Sequence, residues 1–334
     1  MSVATAIKRH SANPILTHEQ VPYKSALVFN AGVEKWQGRY VMVFRNDYGD
    51  FHKTRRFEGT NLGLAWSDDG VAWTVEPEPF MTLEKAQQLG SEWYANRGPE
   101  EIGRFYDPRL TVVDGQLLMC FAVDTPHGIR GGIAKVKDDL SGFEEVYSLG
   151  APDNRNMVLF PERIGGDYVR LERPFPLYMG RRKMDMWCNR SPDLRLWGTS
   201  DLVMDVEEVP YANDKIGPAA PPVKTDKGWL AVFHAVEIDE TRGKHGWEDR
   251  WTKVYHAGVC LLDLDDPRKL LGFSKEPILR SETPYEVDGF RGDVIFPTGC
   301  LLEGSTVRIW YGGADTVMAL AEADVGDLLA LCGA

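Results

Sequence analysis

The chain has 334 residues, a length that fits one large β architecture or two ordinary domains. Its composition, 43% hydrophobic and 26% charged, is typical of a folded globular protein. A formal net charge of -12 at pH 7 argues against nucleic acid or an anionic membrane as a partner, because both need a broad basic face. Any site for an anionic ligand must therefore be local.

The N-terminus and the cysteines indicate a reduced, non-exported protein. The first seven residues lack the basic start and the apolar stretch of a secretory signal, and no segment approaches 18 consecutive apolar residues. We therefore expect a cytoplasmic protein without a membrane partner. The cysteines lie far apart with no metal-ligand spacing, which predicts buried thiols and no metal site at Cys120, Cys188, Cys260, Cys300 and Cys332.

A two-part unit recurs about five times along the chain. Its first part is a short strand rich in aromatic and β-branched residues, predicted at residues 40–45, 116–124, 168–174, 229–236 and 307–315. Its second part is a strand that ends in a polar turn, predicted at residues 63–73, 132–143, 184–197, 257–267 and 318–328. Two antiparallel strands with such a turn, followed by an aromatic residue that packs between sheets, are typical of a propeller blade.

The repeat predicts an all-β protein, a five-bladed β-propeller with an axial active-site pocket, formed by a single domain over residues 1–334. Helical periodicity is scarce, and residues 83–89 are the longest candidate helix. A generic β-sandwich with repeated turns is the alternative. In a propeller, polar residues at the ends of the inner strands converge on one central pocket, so functional residues are expected there.

The first candidate is Asp107 in the segment FYDPRL. Pro108 restricts the preceding residue to an extended conformation, so the Asp107 carboxylate is presented from a stiff segment. One interpretation is a positioned catalytic acid. The other is a turn aspartate paired with Arg109, which the motif by itself favours slightly.

A second set of candidates is basic. Arg173 and His234 fall at the ends of apolar strands, where an uncompensated charge is costly, so each needs an anionic partner or ligand. Each alone is more often part of a structural ion pair, but four such residues in successive blades of an acidic protein favour a phosphate site. The four are Arg155 (in DNRN), Arg173 (in LERP), Lys215 (in KIG) and His234 (in FHAV).

A third set of candidates is suited to binding a sugar. Amide and carboxyl groups form hydrogen bonds with sugar hydroxyls, and aromatic side chains pack on the face of the sugar ring. These candidates are Asn30, Arg45, Asn46, Tyr255 and Asp315. Five tryptophans are predicted to pack between blades instead: Trp66, Trp73, Trp187, Trp197 and Trp310. Motifs for acyl transfer, nucleotide binding and dinucleotide redox chemistry are absent.

Ten stretches spread over nearly the whole chain are distinctive: FNAG, GLAWSDDGVAW, YDPRL, DNRNMVLFPERIGGDYVRLERP, SPDLRLWG, KIGPAAPP, GWLAVFHAV, LLDLDDP, VIFPTG and YGGADT. In these stretches the sequence resembles glycoside hydrolase family 130, the mannoside phosphorylases. The resemblance implies a five-bladed propeller, in agreement with the repeat. It also implies that Asp107 is the catalytic acid and that Asn30 and Asp315 hold the mannosyl ring. The implied phosphate-binding residues are Arg155, Arg173, Lys215 and His234.

The implied reaction is a reversible, inverting phosphorolysis of a β-1,4- or β-1,2-linked mannoside. Asp107 would protonate the leaving oxygen through the 3-hydroxyl of the sugar while phosphate attacks C1 from the opposite face, giving α-D-mannose 1-phosphate. Phosphate is the co-substrate, and no other cofactor is implied. To donate a proton Asp107 must be protonated, so burial or a neighbouring carboxylate should raise its pKa.

Two other functions remain open from the sequence. A β-mannoside hydrolase of the same fold would need a second carboxylate to activate water and should lack the basic set. A noncatalytic glycan-binding propeller would bind sugar without turnover. The linkage is also open, and the loops at residues 51–57 and 236–251 are expected to determine it. Residues 2–20 are a candidate subunit contact in a homo-oligomer.

Overall fold

The structure, a computed structural model, describes residues 6–51, 56–93, 102–241, 246–247 and 251–334. These residues form five antiparallel sheets arranged as the blades of a propeller, which confirms the predicted fold class. Each sheet is built from one continuous stretch of the chain, except that the last sheet also takes in the N-terminal strand. The polar ends of the inner strands therefore meet at one axis.

The strands are numbered along the chain from β1 (Ile7–Arg9), which belongs to the fifth blade. Blade 1 contains β2 (Leu27–Trp36), β3 (Arg39–Asp50), β4 (Arg56–Ser67) and β5 (Thr74–Val75). Blade 2 contains β6 (Arg104–Val113), β7 (Gln116–Thr125), β8 (Gly128–Val136) and β9 (Phe143–Pro152). Blade 3 contains β10 (Asn154–Leu159), β11 (Tyr168–Pro174), β14 (Met186–Ser191) and β15 (Ser200–Met204), with a separate hairpin of β12 (Leu177–Tyr178) and β13 (Arg181–Arg182).

Blade 4 contains β16 (Lys215–Pro218), β18 (Trp229–Ile238), β19 (Lys253–Leu262) and β20 (Leu270–Phe273), and β17 (Val223–Lys224) also pairs with β18. Blade 5 contains β21 (Ile295–Glu303), β22 (Thr306–Gly313) and β23 (Val317–Asp324), followed by β1. The described helices are α1 (Leu83–Trp93), α2 (Pro284–Val287) and α3 (Val325–Leu331), with 3-10 turns at His18–Gln20 and Val206–Glu208. Helix α1 confirms the helix predicted at residues 83–89.

The N-terminal segment closes the ring of blades. Strand β1 pairs with β23, so both ends of the described chain contribute to blade 5. Arg9 Nε donates to the fully buried carboxylate of Glu286 at 2.7 Å, and the Tyr311 hydroxyl donates to the same oxygen at 2.8 Å. The part of residues 2–20 that the structure describes thus packs within the chain, while residues 2–5 lie outside the described residues.

The predicted repeat corresponds to the two middle strands of each blade. Its first parts fall on β3, β7, β11, β18 and β22, and its second parts on β4, β8, β14, β19 and β23. The inner strands were missed because most of them carry a β-bulge, which interrupts the alternation of side chains. The outer strands were missed because several are short.

Aromatic side chains pack between neighbouring blades. Trp310 of blade 5 is fully buried, and its indole nitrogen donates to the carbonyl oxygen of Gly70 in blade 1 at 2.9 Å. Trp229 of blade 4 meets the Phe160 ring edge-on at a centroid distance of 5.1 Å. The cysteines are all free and buried, as predicted.

Candidate active site

Bulges in three inner strands turn polar side chains towards the axis. Asn30 in β2, Asp107 in β6 and Asn156 in β10 have positive φ values of 50°, 55° and 60°, and each lies within a register shift of its strand. Asparagine and aspartate tolerate this left-handed region better than most residues. The predicted extended conformation of Asp107 is therefore wrong: the bulge, rather than Pro108, sets its backbone.

An axial cavity of about 60 Å³ lies at these bulges. It is lined by most of the residues predicted from sequence, namely Asn30, Arg45, Asp107, Arg155, Arg173, Tyr255 and Asp315. It is also lined by four residues that sequence reasoning missed: Asn156, Arg291, Val294 and Phe296. Asn156 could have been found beside Arg155 in the DNRN motif. Arg291 lies outside the predicted strands of the repeat, and no sequence motif marks it as a site residue.

Asp107 is held by two donors from blade 1. Its Oδ1 accepts from Asn30 Nδ2 at 3.1 Å and from Arg45 Nη1 at 3.3 Å. Arg109 instead donates to the carbonyl oxygens of Ala219 at 2.6 Å and Pro108 at 3.0 Å. The alternative of a local Asp107–Arg109 turn pair is therefore wrong.

The pKa of Asp107 is lowered, contrary to the prediction. Burial acts to raise this pKa, but the positive charges of Arg45, Arg109 and Arg155 and the hydrogen bond from Asn30 outweigh it. The carboxyl group is therefore ionised at neutral pH in this arrangement. The prediction failed because it took account of the effect of burial and neighbouring carboxylates on the pKa, but not of the three arginines that the fold brings close to Asp107.

Arg45 is fixed beside Asp107 by a second carboxylate. Its Nη2 donates to Asp47 Oδ2 at 2.6 Å, and its Nε donates to Asp47 Oδ1 at 3.0 Å. Its guanidinium also lies over the rings of Phe29 and Tyr106, at 4.6 and 5.0 Å from their centroids. This bidentate geometry leaves Nη1 directed at Asp107.

Arg155 and Arg173 face each other as register partners in β10 and β11. Among the described residues, neither has a carboxylate within 4.0 Å, and the Nε atoms of both are buried without a hydrogen-bond partner. Arg155 Nη1 donates to the Tyr106 hydroxyl at 3.4 Å, and Arg173 Nη1 lies 2.9 Å from His234 Nε2. Burial and the charge of Arg155 lower the pKa of Arg173 to about 9. Two adjacent buried cations without a carboxylate form a site suited to an anion.

His234 lies behind Arg173, outside the cavity lining, and is fully buried. Its Nε2 faces an arginine donor, so this nitrogen accepts and the ring proton is assigned to Nδ1. Burial and the charges of Arg173 and Lys215 lower the pKa of His234 well below 6.5. A neutral His234 therefore orients Arg173 rather than adding a charge of its own.

Lys215 also lies behind the cavity wall, in blade 4. Its Nζ is 3.3 Å from Asp214 Oδ2, an oxygen that also binds Lys253 Nζ at 2.7 Å, and it lies 5.2 Å from the centroid of the Tyr255 ring. Burial and the charge of Arg173 lower the pKa of Lys215 to about 8. The four basic residues thus lie in two successive blades, with Arg155 and Arg173 in blade 3 and Lys215 and His234 in blade 4.

Asn46 does not belong to the cavity. It is fully buried, and its Nδ2 donates to the carbonyl oxygen of Lys24 at 2.9 Å and to Asn61 Oδ1 at 3.0 Å. The prediction of a substrate contact is wrong here, because successive side chains of a strand point to opposite faces and Arg45 takes the axial one. None of the five tryptophans predicted for packing lines the cavity either.

The wall formed by blade 5 carries Asp315 and Arg291. Asp315 has a φ of 49°, and its Oδ2 lies 3.4 Å from Arg291 Nη1. Burial raises the pKa of Asp315 above its usual value, although Arg291 and Arg45 act against it. Tyr255 belongs to the neighbouring blade 4, where its backbone pairs with Val294, and it stacks on Trp251 with ring centroids 6.0 Å apart and an interplanar angle of 14°. The carboxylate and arginine of blade 5 and this adjacent aromatic ring suit a sugar ring.

Residues 6–334 match the sequence model of glycoside hydrolase family 130, which is described as beta-1,4-mannooligosaccharide phosphorylase. The chain belongs to this family. It is 30% identical to the 1,2-beta-oligomannan phosphorylase of Thermoanaerobacter sp., over 96% of this chain and 98% of that protein. It is 31% identical to the beta-1,4-mannooligosaccharide phosphorylase of Ruminococcus albus, over 97% and 90%.

A solved structure of the family has the same fold. The beta-1,2-mannobiose phosphorylase from Listeria innocua, in complex with beta-1,2-mannobiose, superposes with a TM-score of 0.80 at 25% identity. The match covers 98% of this chain and 99% of the other. Among the described residues of this family 130 member, no helix is long and apolar enough to cross a membrane, and no cluster of three or more His, Cys, Asp or Glu side chains could hold a metal ion.

Proposed function

We propose that this chain is a β-mannoside phosphorylase, which transfers a mannosyl group from a β-1,2- or β-1,4-linked mannoside to inorganic phosphate. The proposal rests on Arg155 and Arg173, two buried cations in the cavity wall that have no carboxylate partner among the described residues. Membership of a family whose named relatives are phosphorylases supports it. The products are α-D-mannose 1-phosphate and the shortened acceptor, and the reaction is reversible.

The cavity has two chemically different sides. Blade 3 carries Arg155 and Arg173 in the cavity wall, with Lys215 and His234 of blade 4 behind them. Blades 1, 2 and 5 carry Asn30, Asp107 and Asp315, and the two arginines on this side, Arg45 and Arg291, are paired with carboxylates. A phosphate oxygen held by Arg155 and Arg173 attacks C1 of the mannosyl ring as the bond from C1 to the leaving oxygen breaks. The proton of Asp107 passes to the 3-hydroxyl oxygen as the 3-hydroxyl proton passes to the leaving oxygen. Attack and departure on opposite faces invert the anomeric centre.

The charges in the cavity favour phosphate over water as the nucleophile. An inverting hydrolase needs a carboxylate that activates water on the face opposite the acid. Among the described residues, the carboxylates that line the cavity are Asp107 and Asp315, neither of them in blade 3 or 4. Asp214 of the neighbouring wall is bound to Lys215 and Lys253. Phosphate needs no base, and its charge compensates the cations that are already present.

Phosphate also provides a route to a protonated Asp107. Arg155 is one of the three arginines that hold the pKa of Asp107 down. A phosphate bound to Arg155 offsets that charge, so the pKa of Asp107 is expected to rise when phosphate binds. Nucleophile binding and protonation of the acid are then coupled.

The proposal is tested by incubating the protein with β-1,4- and β-1,2-mannobiose, with and without inorganic phosphate, and measuring sugar phosphate and free mannose. We expect mannose 1-phosphate to form from at least one of the two, and only when phosphate is present. Equal release of mannose with and without phosphate would contradict the proposal and favour a hydrolase. Binding of either disaccharide without any turnover would favour a glycan-binding propeller.

The KM for phosphate is expected to rise above about pH 8. Lys215 has a pKa lowered to about 8, so it is charged below that pH and loses its charge above it, weakening phosphate binding at high pH. Lys215→Met should raise the KM for phosphate about tenfold at pH 7 and flatten its rise at higher pH. The measurement is the KM for phosphate from pH 6.5 to 9.5. A wild-type KM that stays flat across this range would rule out the titration of Lys215.

A further inference from the structure

The loop between α2 and β21, residues 288–294, is anchored at several points of its backbone. The Trp251 indole nitrogen donates to the carbonyl oxygen of Gly292 at 3.1 Å, and the Arg291 backbone nitrogen donates to Ala314 at 3.0 Å. The Phe290 backbone nitrogen donates to Thr316 Oγ1 at 2.8 Å. A loop held in this way positions its side chains accurately for binding.

Arg291 is the side chain that this loop directs into the cavity. Its guanidinium lies over the Trp251 and Phe290 rings, at 4.7 and 5.4 Å from their centroids, and Nη1 is 3.4 Å from Asp315 Oδ2. The side chain is 35% exposed, compared with 11% for Asp107 and 13% for Asp315. Arg291 therefore lies at the mouth of the cavity, where it is both fixed and accessible.

The order of the blades places Arg291 away from Arg155 and Arg173. Arg291 precedes the inner strand of blade 5, whereas Arg155 and Arg173 belong to blade 3. In an inverting displacement the leaving group departs on the face opposite the nucleophile. If phosphate binds at Arg155 and Arg173 of blade 3, the leaving sugar departs towards blades 5 and 1, which lie opposite blade 3 in a five-bladed ring.

We infer that Arg291 is a specificity-determining residue of the acceptor subsite, where its guanidinium donates hydrogen bonds to hydroxyl oxygens of the leaving sugar. This inference rests on the proposed function, because the direction of departure follows from phosphate attack. Arginine offers five N–H donors in a fixed plane, which suits neighbouring hydroxyls of one sugar ring.

An apolar surface lies next to Arg291 and suits the face of the same sugar. Phe51, Phe57 and Phe290 pack edge to face, with ring centroids 4.9 to 5.4 Å apart. Phe57 is 42% exposed, which is unusual for a large aromatic side chain in such a cluster. Sugar rings bind where hydrogen-bond donors and aromatic faces occur together.

The test compares wild type, Arg291→Met and Arg291→Lys in the synthetic direction, with mannose 1-phosphate as donor and mannose as acceptor. The KM for the acceptor is expected to rise about tenfold or more in Arg291→Met, because a charge-assisted hydrogen bond is lost, and less in Arg291→Lys. The KM for mannose 1-phosphate should change less than about twofold. An unchanged acceptor KM, or an equal rise in both KM values, would overturn the inference.

Arg163→Met is a matched control. Arg163 is 36% exposed, pairs with Asp114 at 2.8 Å and lies over the Tyr168 ring at 3.9 Å, yet it does not line the cavity. Its replacement removes the same kind of partly exposed, ring-stacked cation. Both KM values should stay at the wild-type level.

A binding measurement separates this inference from the proposed function. Calorimetry compares Asp107→Asn with the Asp107→Asn/Arg291→Met double variant, using both mannobioses and methyl β-D-mannoside, which has no acceptor ring. Weaker binding of mannobiose alone by the double variant supports the assignment of Arg291, even if the wild type shows no phosphate-dependent turnover. Equal affinities for mannobiose would overturn the assignment even if phosphorolysis is observed.

Discussion

Asp107→Asn is expected to lower the kcat of phosphate-dependent turnover by on the order of 10³-fold, because asparagine cannot donate the proton that the leaving oxygen needs. Binding of mannoside and phosphate should persist. Asparagine tolerates the left-handed backbone of residue 107, and its oxygen can still accept from Asn30 and Arg45. The measurement is kcat together with the affinity for mannobiose, on the same preparation.

Asp114→Asn is the matched control for this experiment. Asp114 also has a positive φ, 51°, and pairs with an arginine, Arg163, but it lies outside the cavity lining. Its turnover should match the wild type. If Asp107→Asn kept more than about a tenth of wild-type kcat, Asp107 would not be the proton donor. If it lost mannobiose binding as well, Asp107 would be mainly a binding residue.

Arg173→Met is expected to raise the KM for phosphate by about 10²-fold or more, since it removes a buried, bidentate-capable cation. Phosphate should also stabilise the folded protein far less. In the wild type, phosphate at 100 times its Kd raises the free energy of unfolding by about 2.7 kcal/mol, and the same phosphate concentration should raise that of the variant by about 0.4 kcal/mol or less. The measurement is thermal or urea unfolding with and without phosphate.

Arg170→Met distinguishes loss of the phosphate site from general damage to the blade. Arg170 is buried on the same strand, β11, but its Nη2 is paired with Glu172 at 2.6 Å. Its replacement leaves a buried carboxylate unpaired and is expected to cost about 3 to 5 kcal/mol of stability. Stabilisation by phosphate should persist in Arg170→Met. If it persisted in Arg173→Met instead, Arg173 would not bind phosphate.

The sequence predicts the propeller because the two middle strands of every blade are regular. Strands such as β7 and β18 are ten residues long and mostly buried, so each forms a clear apolar run in the sequence. The inner strands are less recognisable, since the bulges at Asn30, Asp107 and Asn156 break their alternation. The bulges thus bring functional groups to the axis, and they also make the inner strands hard to recognise in the sequence.

The candidate site is only partly predictable from the sequence, because many of its contacts join residues from different blades. Asp107 and Arg155 occur in recognisable motifs, but their pKa values and partners depend on residues that folding brings from other blades. Arg45 reaches Asp107 from a strand in blade 1, and no pattern along the chain reveals that contact. Arg291 lies on a loop that only the fold places beside Asp315. Asn46 was assigned to substrate because the sequence does not show which of two adjacent residues faces the axis.

The most direct test of phosphate as the attacking group is to follow the first turnovers of mannobiose in phosphate buffer by 31P and 1H NMR. We expect α-mannose 1-phosphate to accumulate in an amount equal to the mannobiose consumed, with one mannose released for each. Free mannose formed while the phosphate signal stays unchanged would contradict phosphorolysis. A β-configured mannose 1-phosphate as the first product would contradict the inverting geometry.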